Sequence, residues 1–161
     1  MNNFSKNRVD ASLNELMPVI SEKLEAGGQV VFNPYGESML PLFVPGRDSV
    51  TLEKPQRKLK RNDILFYRRK NGQFVLHRLE KIKKDGSMVL RGDNQWAKEQ
   101  GIMPEDVLGL VIKFSLKGKE LTTKALWYKI YIKVLKPLHR AKIFACLAAR
   151  KVLKIYRKKS G

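Results

Sequence analysis

Two dipeptides, Asn71-Gly72 and Asp85-Gly86, constrain the fold of this chain more than any other feature. Both place residues that tolerate a left-handed backbone between runs suited to strands, which is the pattern of β-hairpins. The runs they join are 63–69, 73–83 and 87–91, and within 73–83 Phe74 and Leu76 alternate with Val75 and His77. Residues 29–33 and 49–52 read as two earlier strands, and 107–116 reads as a last one. The stretch 34–45 holds three prolines and a glycine, so it is expected to be an irregular loop, and 92–104 is expected to be a second loop. The expected class is therefore mainly β.

Helices are expected only at the two ends. Leu13, Leu16, Met17, Ile20 and Leu24 share one helical face behind Asp10 or Ser12 as cap, and Gly27-Gly28 stops the run. This predicts a helix over about residues 12–26, shortened or bent at Pro18. After Gly118 the spacing changes again. Lys129, Lys133, Lys136 and Arg140 align on one helical face, while Leu126, Ile130, Val134 and Leu138 align on another. Pro137 should interrupt this pattern, which resumes over 142–157, so the tail reads as two basic amphipathic helices. Three segments result: 1–27 helical, 28–118 β-rich, and 119–161 a basic helical tail.

Charge separates the tail from the rest. The net charge is +18, and residues 121–161 carry 12 Lys/Arg with no Asp/Glu. An anionic partner is implied. Trp127, Tyr128, Tyr131 and Phe144 interleaved with lysines favour an anionic membrane surface, touched by Trp127, Lys129, Lys133, Lys136 and Arg140. Nucleic acid ranks second, because no module that reads bases is apparent. The longest uncharged run of the tail, 143–149, is far shorter than the ~20 residues of a spanning helix. The start of the chain lacks an apolar stretch, so neither a signal peptide nor a membrane-spanning helix is expected. That predicts a cytoplasmic protein, peripheral at the inner face of the membrane. One cysteine, Cys146, and two histidines without ligand spacing point to no metal, no cofactor and no disulfide.

Four short segments carry chemistry. Gly36-Glu37-Ser38-Met39-Leu40-Pro41 frames a serine in a tight turn. Val75-Leu76-His77-Arg78 puts a histidine on a strand, and Arg91-Gly92-Asp93-Asn94 and Glu105-Asp106-Val107-Leu108-Gly109 follow. A serine hydroxyl is a poor nucleophile until a base removes its proton, and neutral histidine suits that role. In this order the segments resemble the G-x-S-M-x-P, H-R, G-D-N and D-V-x-G boxes of the signal peptidase I and LexA-like serine peptidases. The histidine points to the subclass typified by the signal peptidase of the endoplasmic reticulum. Asn62-Asp63-Ile64 also resembles the family's G-D-I strand, with asparagine in place of glycine. The likeness covers about residues 28–115.

The resemblance implies the signal peptidase/LexA-like β-fold and a serine endopeptidase that cuts an extended peptide after small residues. Ser38 would be the nucleophile and His77, 39 residues later, its base. Glu99 stands where the subclass places the aspartate that orients the base, and Asp93 is the rival for that role. Gly36, Met39 and Pro41 fall on the substrate side. Gly36 occupies the position where many relatives carry a hydroxyl for the oxyanion. Two other functions remain open. A LexA-like self-cleaving regulator would cut at Ala26-Gly27, and a non-catalytic peptide-binding module would keep only the fold.

Overall fold

Ile64, Leu65, Phe66 and Tyr67 are four consecutive apolar residues, and all four are buried. A strand with no polar face has to lie inside a sheet that is covered on both sides. The computed structural model describes residues 3–146 and places this strand at the centre of the sheet, fourth in its order. Among the described residues there are eight strands, all paired antiparallel: β1 (Val30–Phe32), β2 (Ser49–Glu53), β3 (Ile64–Arg68), β4 (Phe74–Ile82), β5 (Met88–Arg91), β6 (Glu99–Ile102), β7 (Val107–Leu116) and β8 (Lys119–Thr122). Their order is β1-β2-β7-β3-β4-β5-β6, and β8 pairs with the second half of β7.

Each face of the sheet has its own core. Ile64, Phe66 and Leu76 pack with Val50, Leu52, Phe114 and the buried residues of the two ends of the chain. Leu65, Tyr67 and Leu79 pack with Met88, Leu90, Ile102 and Leu110. Phe66 lies between Phe32 and Phe74, with ring centroids 5.3 and 5.8 Å away. Truncating it to alanine would cost about 3–5 kcal/mol.

α1 (Asn3–Glu25) starts earlier than the predicted position 12, because no glycine or proline precedes to stop it, and Pro18 lies within it. Met17 and Leu24 are buried in the first core, but Leu16 is 53% exposed and off the packed face. The end is as expected. Gly27, at φ 78°, donates from N to Leu24 O (3.0 Å) and Gly28 N donates to Lys23 O (2.8 Å), which is a Schellman cap.

Three features differ from expectation. The stretch 92–104 is not all loop, since Glu99–Ile102 forms β6 against β5. Its sequence has no alternation and contains Gly101, so pairing rather than propensity creates the strand. β7 is not the last strand either. Lys117 and Gly118, at φ 50° and 78°, turn the chain into β8, and Lys117 N donates to the buried Asp48 Oδ1 (3.0 Å). Finally, α2 (Leu126–Ile130) continues through a π-helical turn, Tyr131–Leu135, into α3 at 136–146. Pro137 lacks the N–H an α-turn would use, and the wider turn before it absorbs the mismatch. One continuous helical run thus replaces the expected break. The predicted continuation of that helix to residue 157 lies outside the described residues. Among the described residues no helix is long and apolar enough to cross a membrane.

Candidate active site

Ser38 lies in the loop between β1 and β2. Met39, Leu42 and Phe43 on this loop are buried in the first core and pin it down, leaving Ser38 half-exposed and Pro41 exposed. Met39 is therefore a core anchor rather than a substrate contact, a correction that follows from its 3% exposure. Leu40 N donates to Glu37 O (3.2 Å) and Phe43 N to Met39 O (3.1 Å), whereas the Ser38 N–H has no partner among the described residues. Gly36 has φ 89°. A serine or threonine is strained there, which accounts for the missing hydroxyl.

The turn after β5 seats this loop. Asn94 N donates to Ser38 O (2.8 Å) and Asn94 Nδ2 to Glu37 O (3.1 Å). A Cβ at Gly92 would lie 2.5 Å from Ser38 O and 3.0 Å from Ser38 Cβ, so only glycine lets the Ser38 loop cross here. β4 and β5 pair Arg78 with Arg91 and Leu79 with Leu90. Continuing that register by one residue puts Gly92 opposite His77. Facing Cβ atoms on neighbouring strands are about 5 Å apart. Ser38 is thus seated at the end of β5, next to the strand that carries His77. Among the described residues Ser38 Oγ makes no hydrogen bond to His77.

His77 is buried and held at one nitrogen. Its Nδ1 lies 3.1 Å from Tyr67 Oη and 3.2 Å from Glu99 Oε1. Tyr67 donates its only hydroxyl proton to Glu99 Oε2 (2.7 Å), so toward His77 both neighbours act as acceptors. Nδ1 must then carry the proton, and Nε2 keeps its lone pair. Burial lowers the pKa of His77 to about 4, with the Glu99 carboxylate opposing and the Arg69 guanidinium assisting. Glu99 would be pushed up by burial, but hydrogen bonds from Arg69 and Tyr67 hold it below its usual value. Arg69 Nε donates to Glu99 Oε2 (2.9 Å), and its Nη2 pairs with Glu99 Oε1.

Asp93 does not join this group, which corrects its candidacy. It is fully buried on the other face of the sheet, where Arg78 Nε and Nη2 donate to its oxygens at 2.8 and 2.6 Å and Tyr131 Oη donates at 2.9 Å. Arg78 Nη1 also donates to Asn62 O (2.9 Å) and Tyr128 Oη (2.7 Å). Burial alone would raise the pKa of Asp93, and the charge and hydrogen bonds of Arg78 bring it down instead. Asn62 has φ 75°, a left-handed conformation that asparagine tolerates and glycine adopts freely.

The basic stripe of the tail is divided. Lys129 and Lys133 are exposed and Trp127 is partly so. Lys136 is buried, with Nζ donating to Asn62 Oδ1 (2.9 Å), and burial next to Arg78 lowers its pKa to about 8. Arg140 pairs with Glu80 at 2.6 Å. These two face the body, which corrects their assignment to a membrane surface. Between them His139 Nε2 donates to Asn94 Oδ1 (3.0 Å). Asn94 therefore joins the Ser38 loop to the C-terminal helix.

Sequence reasoning missed Tyr67, Arg69, Asn94 and His139 as parts of the site. The first two could have been found from the hairpin register, because positions 67 and 69 share the face of His77 once Leu65 is set opposite His77. The Asn94–His139 contact spans 45 residues and leaves no local signal. No protein-family model matches the chain, and no curated protein matches it either.

Proposed function

We propose that the chain is a serine endopeptidase with the signal peptidase/LexA-like β-fold, in which Ser38 attacks and His77 Nε2 takes its proton. The observation that carries this is the imidazole tied at Nδ1 to Tyr67 and Glu99, with no hydrogen bond at Nε2 among the described residues and the Ser38 loop packed against Gly92 at the end of the neighbouring strand. A base so held is in the tautomer and orientation that an acyl transfer needs. The unpartnered Ser38 N–H supplies one donor for the oxyanion, and with Gly36 in place of a hydroxyl the reaction is slow. The substrate enters as an extended strand along the edge of β1 that is unpaired among the described residues, which leads in six residues to Ser38. A preference for small residues rests on the family resemblance alone.

Self-cleavage has less support. Ala26-Gly27 is wound into the Schellman cap of α1, the opposite of the extended conformation a peptidase cleft takes. A non-catalytic peptide-binding module is favoured by one observation, the lack of a hydrogen bond between Ser38 Oγ and His77. A peptide-library digest and labelling with a serine-reactive phosphonate separate the two. We expect cleavage and labelling by the native chain, and losses of roughly 10⁴-fold or more in Ser38→Ala and His77→Ala with the fold retained. No labelling and no cleavage would leave the binding module. Activity surviving in His77→Ala would place the base elsewhere.

A further inference from the structure

The helical run 126–146 turns its polar side inward. Tyr128, Tyr131, Lys136, His139 and Arg140 meet the body through their polar atoms. The outward side is apolar: Leu126, Ile130, Val134 and Leu138 recur every fourth residue beside Trp127, and Leu126 and Leu138 are 73% and 63% exposed. An ordinary surface helix has the reverse arrangement. The π-helical turn at Tyr131–Leu135 contributes to it. A turn closed i→i+5 holds more residues than the 3.6 of an α-helix, so side chains four apart stay closer to one line. Lys129, Lys133 and Lys142 are also exposed and have no ion-pair partner among the described residues.

We propose that this outer face lies on an anionic lipid bilayer, with Leu126, Ile130, Val134 and Leu138 at the acyl boundary and Lys129 and Lys133 among the headgroup phosphates. Charge complementarity selects this occupant. A second copy, also carrying +18, would bring lysines against lysines across an apolar seam. A nucleic acid would satisfy the lysines but offers no apolar layer for four aliphatic side chains. A bilayer surface supplies both.

The test is sedimentation of the full chain with phosphatidylcholine vesicles, with and without phosphatidylserine. We expect co-sedimentation with the anionic vesicles, weakened by salt but not abolished. Ile130→Glu/Val134→Glu, at exposed positions and checked by circular dichroism, should weaken partitioning by about an order of magnitude or more. Lys129→Gln/Lys133→Gln should do likewise and reduce the salt dependence. In a Trp96→Phe background the Trp127 emission should shift to the blue on anionic vesicles. Failure to sediment with anionic vesicles would overturn the proposal. So would sedimentation indifferent to Ile130→Glu/Val134→Glu, or a solution dimer that those substitutions dissociate. None of these readouts involves peptide cleavage.

Discussion

Burial of His77 sets the pH range in which it can act as a base. With its pKa lowered to about 4 by desolvation, the imidazole is neutral from mildly acidic pH upward. kcat/KM should therefore be flat between roughly pH 5 and 8 and fall only as pH approaches 4. An acid limb centred near 6.5 would mean that His77 is more solvated in solution than in this structure. The same shift acts on stability. The unfolded chain binds a proton to this histidine between pH 6.5 and about 4 while the folded chain does not, so its contribution is lost as pH falls through that window. The two carboxylates should separate by phenotype. Glu99→Gln keeps the fold and slows cleavage by about 10²-fold or more, since it weakens the hold on Nδ1. Asp93→Asn leaves the buried Arg78 charge unpaired and should cost about 3–5 kcal/mol in urea unfolding. A larger catalytic loss in Asp93→Asn, with stability intact, would transfer the orienting role to it. Ser38, His77 and Glu99 were all legible as candidates in the sequence, yet Tyr67 was not, because a tyrosine in an apolar run reads as core.

The hairpin between β3 and β4 explains that omission. Asn71-Gly72 marks the turn correctly, but the loop has three residues, 70–72, closed by Arg69 N donating to Gln73 O (2.8 Å), and of its residues only Gly72 is left-handed. One residue more or less in that loop would move His77 to the other face of β4. Strand β7 was legible to the residue from its apolar pattern, whereas β6 and β8 owe their existence to the edges they pair with. β8 also changes what can be removed. The sequence divides after 118, as though the basic tail were separable from the β-rich body. But β8 pairs along β7, and Tyr128 and Tyr131 complete the core and the Arg78–Asp93 pair. Truncation after Gly118 should therefore lower stability by several kcal/mol, visible as an earlier urea midpoint than that of the full chain. Equal midpoints would show the helical run to be a mere appendage.

At the level of the whole molecule, charge was legible as a quantity but not as a surface. Asp48, Asp63, Glu80, Asp93 and Glu99 are all engaged by arginines of the body or of α3. The basic excess is therefore left outside. Spacing along the helix made Lys136 and Arg140 equivalent to Lys129 and Lys133, and only the packing against Asn62 and Glu80 separates them. That packing has a consequence in time. A chain is made from its N-terminus, at about 5–20 residues per second, and the parts of this site are made far apart. Asp93 precedes its partner Tyr131 by 38 residues, and Asn94 precedes His139 by 45. When Ser38, His77 and Glu99 have all been made, the residues that brace the turn between them have not. The loop bearing Ser38 gains its last support only once His139 has been made, long after the residues it positions.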